Sequence, residues 1–122
     1  MALDLITATP AALLAEFKKR VSQSEQKGKI TTWEENSQGN FTHKADQVHG
    51  QAWFCAMIQK DRLRWNLRAP SGKPISRYVF AYYHGHLTEA FINHFPELFT
   101  SVSCTANKAP GDNVSGEYPK KS

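Results

Sequence analysis

The sequence has few of the residues that cross-link small domains. Its two cysteines, Cys55 and Cys104, lie in separate strand-like apolar segments, a spacing that fits neither a disulfide scaffold nor a zinc site. We therefore expect both thiols to be buried as small hydrophobic groups. A chain of 122 residues is long enough to bury one core without such support, so a single domain is predicted.

Long apolar runs are also absent from the sequence. No stretch approaches the roughly 20 apolar residues that a membrane-spanning helix requires. The first residues have no basic leader and carry Asp4 within an apolar stretch, which fits neither a secretory signal nor a transit peptide. We therefore expect a cytoplasmic protein that does not enter the membrane.

Motifs of the common catalytic classes are missing as well. The segment SGKP at 71–74 is the nearest string to a phosphate-binding loop, but it has proline where that loop needs Ser or Thr. Neither a G-x-S-x-G elbow nor a His-Glu-x-x-His pair occurs, and the apolar surroundings of Cys55 argue against a reactive thiol. The sequence thus predicts a protein that is not an enzyme and that binds no cofactor or metal ion.

The apolar pattern that is present predicts both helices and strands. Thr9 and Pro10 mark the start of a helix, since threonine can cap free amides and proline suits the first turn, and Gly28 marks its end. Strand character recurs in segments 29–35, 41–44, 52–58, 62–68, 75–83 and 99–106. A second, short helix is predicted from His86 to Phe95, with Gly85 ending the strand before it.

Together these elements predict an α+β two-layer sandwich. The sheet is expected to be mostly antiparallel with about five strands, because the connections in the middle of the chain are too short for crossover helices. The N-terminal helix and the short helix before the last strand cover one face. Residues 1–106 are predicted to form the single domain, and residues 107–122 are predicted to be a flexible tail because they are polar and contain Gly and Pro.

Positive charge is concentrated in one part of this chain, whose net charge is +4. The segment from Arg62 to Arg77 contains five cations and no carboxylate. Its strand RLRWNLR alternates, so the arginines are predicted to share one face of the sheet while the leucines and Trp65 share the other. The predicted partner-binding residues are Arg62, Arg64, Arg68, Lys73, Arg77 and Tyr78, with Arg77 and Tyr78 on a neighbouring strand.

Three interpretations of this basic face remain open from the sequence. Guanidinium groups bind carboxylates and phosphates through a planar fork, which predicts a protein partner with an acidic surface. A nucleic-acid-binding module would use the same arginines, with Tyr78, Tyr82 and Trp65 stacking on bases. A half-exposed strand also carries arginines simply because its outer face meets water.

The string YYHGHLTEAF suggests a different site, around His84 and His86. Imidazole groups act as general bases or metal ligands, so a small histidine-dependent hydrolase or metal protein is the third hypothesis. On one helix, however, His86 and His94 would lie about 12 Å apart and could not share an ion. The alternative is that His84 and His86 bond free backbone groups near a helix start, while His94 packs on an apolar face.

Overall fold

The structure, a computed structural model that describes residues 2–118, has two helices over one face of a six-stranded sheet. The named strands pair antiparallel in the order β2-β3-β4-β5-β1-β6, which confirms the predicted α+β fold with six strands in place of about five. The elements are β1 (Ala2–Ile6), α1 (Pro10–Ser22), β2 (Trp33–Glu35), β3 (Phe41–His43), β4 (Trp53–Ile58), β5 (Arg62–Arg68), α2 (Arg77–His94) and β6 (Ser101–Cys104).

Sequence reasoning missed β1, which lies between β5 and β6. Its five residues, ALDLI, include one polar side chain, Asp4, so the alternation typical of a strand is hard to see in so short a segment. In the structure Leu3 and Leu5 are fully buried in the core, and Asp4 points to the opposite side of the sheet. β1, which the sequence pattern did not predict, thus supplies both a part of the core and a carboxylate on the other face.

The prediction of a strand at 75–83 is wrong, because α2 runs without interruption from Arg77 to His94. Ser76 caps it, since its Oγ accepts a hydrogen bond from the Val79 amide at 3.2 Å. The residues that α2 buries recur at helical spacing, and their packing on the sheet overrides the weak strand preference of aromatic and β-branched side chains. These buried residues are Val79, Phe80, Tyr83, His84, Leu87, Ala90 and Phe91.

Other differences concern the ends of elements and the cysteines. The first helix begins at Pro10 as predicted, but its N-cap Thr9 makes no side-chain capping bond, and α1 ends at Ser22, well before Gly28. The prediction that both thiols are buried is also wrong. Cys55 is only half-buried. Cys104 is exposed, because its strand, β6, is the last strand of the sheet.

One face of the sheet forms the core with the two helices. Phe17 of α1 lies at its centre, with ring centroids 4.9 Å from Phe41, 5.5 Å from Trp65 and 4.9 Å from Phe91. Aromatic rings in such edge and stacked contacts contribute packing energy beyond the area that they bury. The strands of the sheet and both helices are therefore joined through one aromatic cluster.

The other face of the sheet carries no helix in the part of the chain that the structure describes. The predicted alternation in β5 is confirmed: Leu63, Trp65 and Leu67 are fully buried, while Arg62 and Arg64 are partly exposed on the opposite side. We call this second surface the open face. Its residues, assigned from the strand register, are Ala2, Asp4, Ile6, Trp53, Cys55, Met57, Arg62, Arg64, Asn66, Arg68, Ser101 and Ser103.

The described part of the predicted tail is hydrogen-bonded to β5. Asp112 Oδ1 accepts from the Asn66 side chain at 2.8 Å and from the Leu67 amide at 3.0 Å. Asn113 forms a parallel bridge with Arg68, beside the end of β5 that β1 does not reach. The domain boundary at residue 107 stays a prediction, and residues 119–122 lie outside the described residues.

Substitution of Gly85 tests whether α2 is continuous at this position, as in the structure, or broken by the turn that the sequence predicted. A methyl group added at Gly85 would meet no atom within 4 Å apart from its chain neighbours and the adjacent backbone of α2, so Gly85→Ala should raise the free energy of unfolding by about 0.5–1 kcal/mol through better helix propensity. Gly72→Ala is the control, because Gly72 has φ of 78° and alanine is strained there. Urea denaturation should show the first variant stabilised and the second destabilised; a destabilised Gly85→Ala would contradict the continuous helix.

Candidate functional site

Asp4 lies in the middle of the open face, between Arg62 and Arg64. Its Oδ1 accepts from Arg64 Nε at 2.8 Å, and its Oδ2 accepts from Arg64 Nη2 at 3.0 Å and Arg62 Nη1 at 3.2 Å. The register of β1 and β5 produces this contact, since it places Asp4 directly opposite Arg64. The bidentate bond restricts the arginine side chain, so the guanidinium is presented in one defined orientation.

Asp4, Arg62 and Arg64 stabilise one another in their charged forms. The hydrogen bond from Arg64 holds the pKa of Asp4 below its usual value, against the opposing effect of burial, and Arg62 lowers it further. The bond to Asp4 likewise raises the pKa of Arg64. All three groups are therefore charged at neutral pH.

A second carboxylate also lies among the arginines. Arg62 donates from Nε to Asp61 Oδ1 at 3.0 Å and from Nη2 to Asp61 Oδ2 at 3.2 Å. Asp61 lies one position before the cation-rich segment from Arg62 to Arg77, and Asp4 is distant in sequence, so the local charge pattern contains neither carboxylate. The open face around Arg62 and Arg64 thus carries less positive charge than the sequence alone indicates.

Arg68 has different surroundings at the other end of β5. Its guanidinium carbon lies 5.5 Å from the ring centroid of Tyr118, and Trp53 is its cross-strand neighbour. Among residues 2–118 no carboxylate forms an ion pair with it. A cleft of about 410 Å³ opens here, lined by Trp53, Arg68, Ala69, Tyr118 and the amide side chains of Asn36, Gln38 and Asn40.

Apolar groups lie beside the arginines on the open face. Met57 is 51% exposed and is the cross-strand neighbour of Arg64. Trp53 is half-buried on the same side of β4. Aromatic residues, Met and Arg are the residue types enriched in protein–protein interfaces. The open face therefore combines fixed charges with exposed apolar surface, and sequence reasoning included neither Met57 nor Trp53.

The structure brings together only part of the predicted partner-binding set. Arg62, Arg64 and Arg68 share the open face, and Lys73 is exposed in the loop after β5. Arg77 and Tyr78 instead begin α2 in the helical layer, so their placement on a neighbouring strand is wrong. Arg77 donates to Ala106 O at 3.0 Å and to Asn107 Oδ1 at 3.3 Å, and Tyr78 is 58% exposed.

His84 and His86 do not flank a strand-to-helix turn, because both lie within α2. His84 is buried, its Nδ1 donates to Phe80 O at 2.7 Å, and its ring packs on Phe54. His86 is partly exposed and stacks on Tyr82 with 4.0 Å between ring centroids. The two imidazoles thus have separate environments and do not form one site.

A different histidine pair is formed by His43 and His86, whose ring centroids are 5.1 Å apart. His43 is buried, and its Nδ1 accepts from the Ala45 amide at 3.1 Å, which requires the neutral ring. Burial, with His86 as a second cause, lowers the pKa of His43 to about 4, although Glu89 opposes the shift. No group of three His, Cys, Asp or Glu residues within the described chain is arranged to hold a metal ion.

The Asp4 contact should stabilise the sheet. Asp4→Asn leaves Arg64 without its carboxylate, while Arg62 keeps Asp61. Because these groups are partly hydrated, we expect the free energy of unfolding to fall by about 1–3 kcal/mol. Asp61→Asn is the matched control, since Asp61 is exposed and its loss should have little effect. Chemical denaturation of both variants checks this, and equal stabilities of Asp4→Asn and the wild type would contradict it.

Stability should also depend on pH through His43. His43 binds a proton near pH 6.5 in the unfolded chain but only near pH 4 in the folded chain. The contribution of the neutral His43 to the free energy of unfolding is therefore complete above pH 6.5 and declines as the pH falls from 6.5 to 4. The loss attributable to His43 amounts to about 1–3 kcal/mol, since the full shift corresponds to about 3 kcal/mol and screening by nearby solvent reduces it. His43→Asn keeps an acceptor for Ala45 but cannot titrate, so its urea midpoints should fall less over that range; the same pH slope in both proteins would contradict the assignment.

Comparisons with known proteins add no information about this site. No protein-family model matches the chain, and no curated protein or solved structure matches it significantly. Within the described residues, neither helix is long and apolar enough to cross a membrane.

Proposed function

We propose that this chain is a non-enzymatic binding or regulatory protein, and that an acidic surface of a partner protein docks on the open face. The observation that carries the proposal is the Asp4 contact, which holds Arg62 and Arg64 in place on a sheet face that no helix of residues 2–118 covers. Side chains that are already ordered lose less conformational entropy on binding, so their contacts contribute more to affinity.

The surroundings of these arginines favour protein over nucleic acid as the partner. Asp4 and Asp61 lie among the guanidiniums and already neutralise part of their charge, which weakens the multiple phosphate contacts on which nucleic-acid affinity depends. A protein surface can instead place an apolar side chain against Met57 and a carboxylate near Arg68, which has no acidic partner in the described residues. The cleft at Arg68 gives such a side chain a concave site.

A test needs variants that change the open face and matched variants that do not. Met57 and Ile58 are neighbours on β4, are 51% and 52% exposed and point to opposite sides of the sheet, so Met57→Ser and Ile58→Ser form a matched pair. Arg68→Glu and Lys19→Glu form a second pair, because both replace an exposed cation with an acid and Lys19 lies on α1.

Affinity capture with quantitative mass spectrometry, followed by calorimetry with the purified partner, should separate these variants. We expect Ile58→Ser and Lys19→Glu to bind like the wild type, and Met57→Ser and Arg68→Glu to lose at least about tenfold in affinity, as for central interface residues. Equal binding by all four variants would contradict docking on the open face. A partner that proves to be nucleic acid, with affinity falling steeply with salt, would contradict the choice of protein.

A further inference from the structure

The last strand of the sheet, β6, has one side that no other strand pairs with in the described residues. On its inner side it pairs with β1, and just beyond it the Thr105 amide donates to Ala2 O at 3.1 Å. Residues of an antiparallel strand alternate between bonding to the neighbour and pointing away from it. Because Thr105 bonds to β1, Val102 and Cys104 direct their backbone N–H and C=O groups outward.

Nothing in the composition of β6 protects this edge. Edge strands usually carry charged side chains, proline or bulges that prevent another strand from pairing with them. Residues 98–107 contain no charged side chain and no proline. The opposite edge of the sheet differs, since β2 has three residues and two of them are Glu34 and Glu35.

We propose that β6 is a self-association edge, at which a second copy of this chain pairs antiparallel with β6 and extends the sheet. A two-fold axis at Ser103 sets Val102 opposite Cys104 of the second copy. In this register the outward N–H and C=O groups of both residues, in both copies, find hydrogen-bond partners.

The side chains of β6 favour a second copy over a different partner. A two-fold axis brings identical side chains together, so a charged residue at the axis would repel its own copy. Here the axis residue is Ser103, whose hydroxyl can bond its equivalent on the open-face side. Val102 and Cys104 meet on the other side, where neither adds charge. A partner chosen by charge would find no charged group on this strand to recognise.

The dimer would also enlarge the open face. An axis perpendicular to the sheet keeps both helical layers on one side and joins the two open faces on the other. The dimer itself does not depend on the proposed function, since it involves only the edge of β6.

Sedimentation of the full chain from low micromolar to submillimolar concentration tests the proposal, and we expect a reversible monomer–dimer equilibrium. Ser103→Lys places two ammonium groups at the axis and should raise the dimer Kd at least about tenfold. Ser24→Lys adds the same charge at an exposed position far from β6 in sequence and should leave the Kd unchanged.

Cys104→Pro provides a second variant, because it removes an outward N–H without removing a bond to β1, and it should also weaken the dimer. Circular dichroism confirms that each variant is folded. A wild type that stays monomeric throughout, or a dimer that persists in both edge variants, would overturn the proposal.

Cross-linking tests the register. With the axis at Ser103 the two Cys104 Cα atoms lie about 8 Å apart diagonally, too far for a disulfide but within reach of a short bis-maleimide. In a Cys55→Ser background the bis-maleimide should therefore yield covalent dimers, and mild oxidation should not. Efficient disulfide formation through Cys104 would overturn the register.

Discussion

The pairing of β1 with β5 is the contact on which the rest of the structure depends. Its register sets Leu3 opposite Trp65 and Leu5 opposite Leu63 on the core side, and Asp4 opposite Arg64 on the open face. The same strand supplies the inner neighbour of β6. The residues of β1 therefore supply part of the core, set the charge arrangement of the open face and position the strand whose outer edge is unpaired in the described residues.

The two faces of β5 show how one alternating segment serves two purposes. Leu63, Trp65 and Leu67 are fully buried against the helical layer. Arg62 and Arg64 on the other side are held by Asp4, whose side chain is only 11% exposed. A group this shielded from water binds its partners more strongly than an exposed salt bridge does, so the arginines are ordered before any partner arrives.

Local patterns predicted much of this fold but not its long-range contacts. The alternation of β5 was visible in RLRWNLR, because a strand with one buried face repeats every two residues. The strand order and the contact of Asp4 with Arg64 join residues 60 positions apart, and no local pattern contains them. In α2, aromatic residues favoured a strand, although Val79, Phe80, Tyr83, His84 and Leu87 already had the spacing of a buried helical face.

We propose the open face as the surface that binds a partner, and Met57, which is exposed on that face, reports on it directly. The chain has two methionines, so ¹³C labelling of the methionine methyl groups gives a spectrum in which Met57 is readily assigned with a Met57→Ser variant. Addition of the purified partner should shift or broaden the Met57 signal in proportion to occupancy. A saturating partner that leaves this signal unchanged would contradict the account.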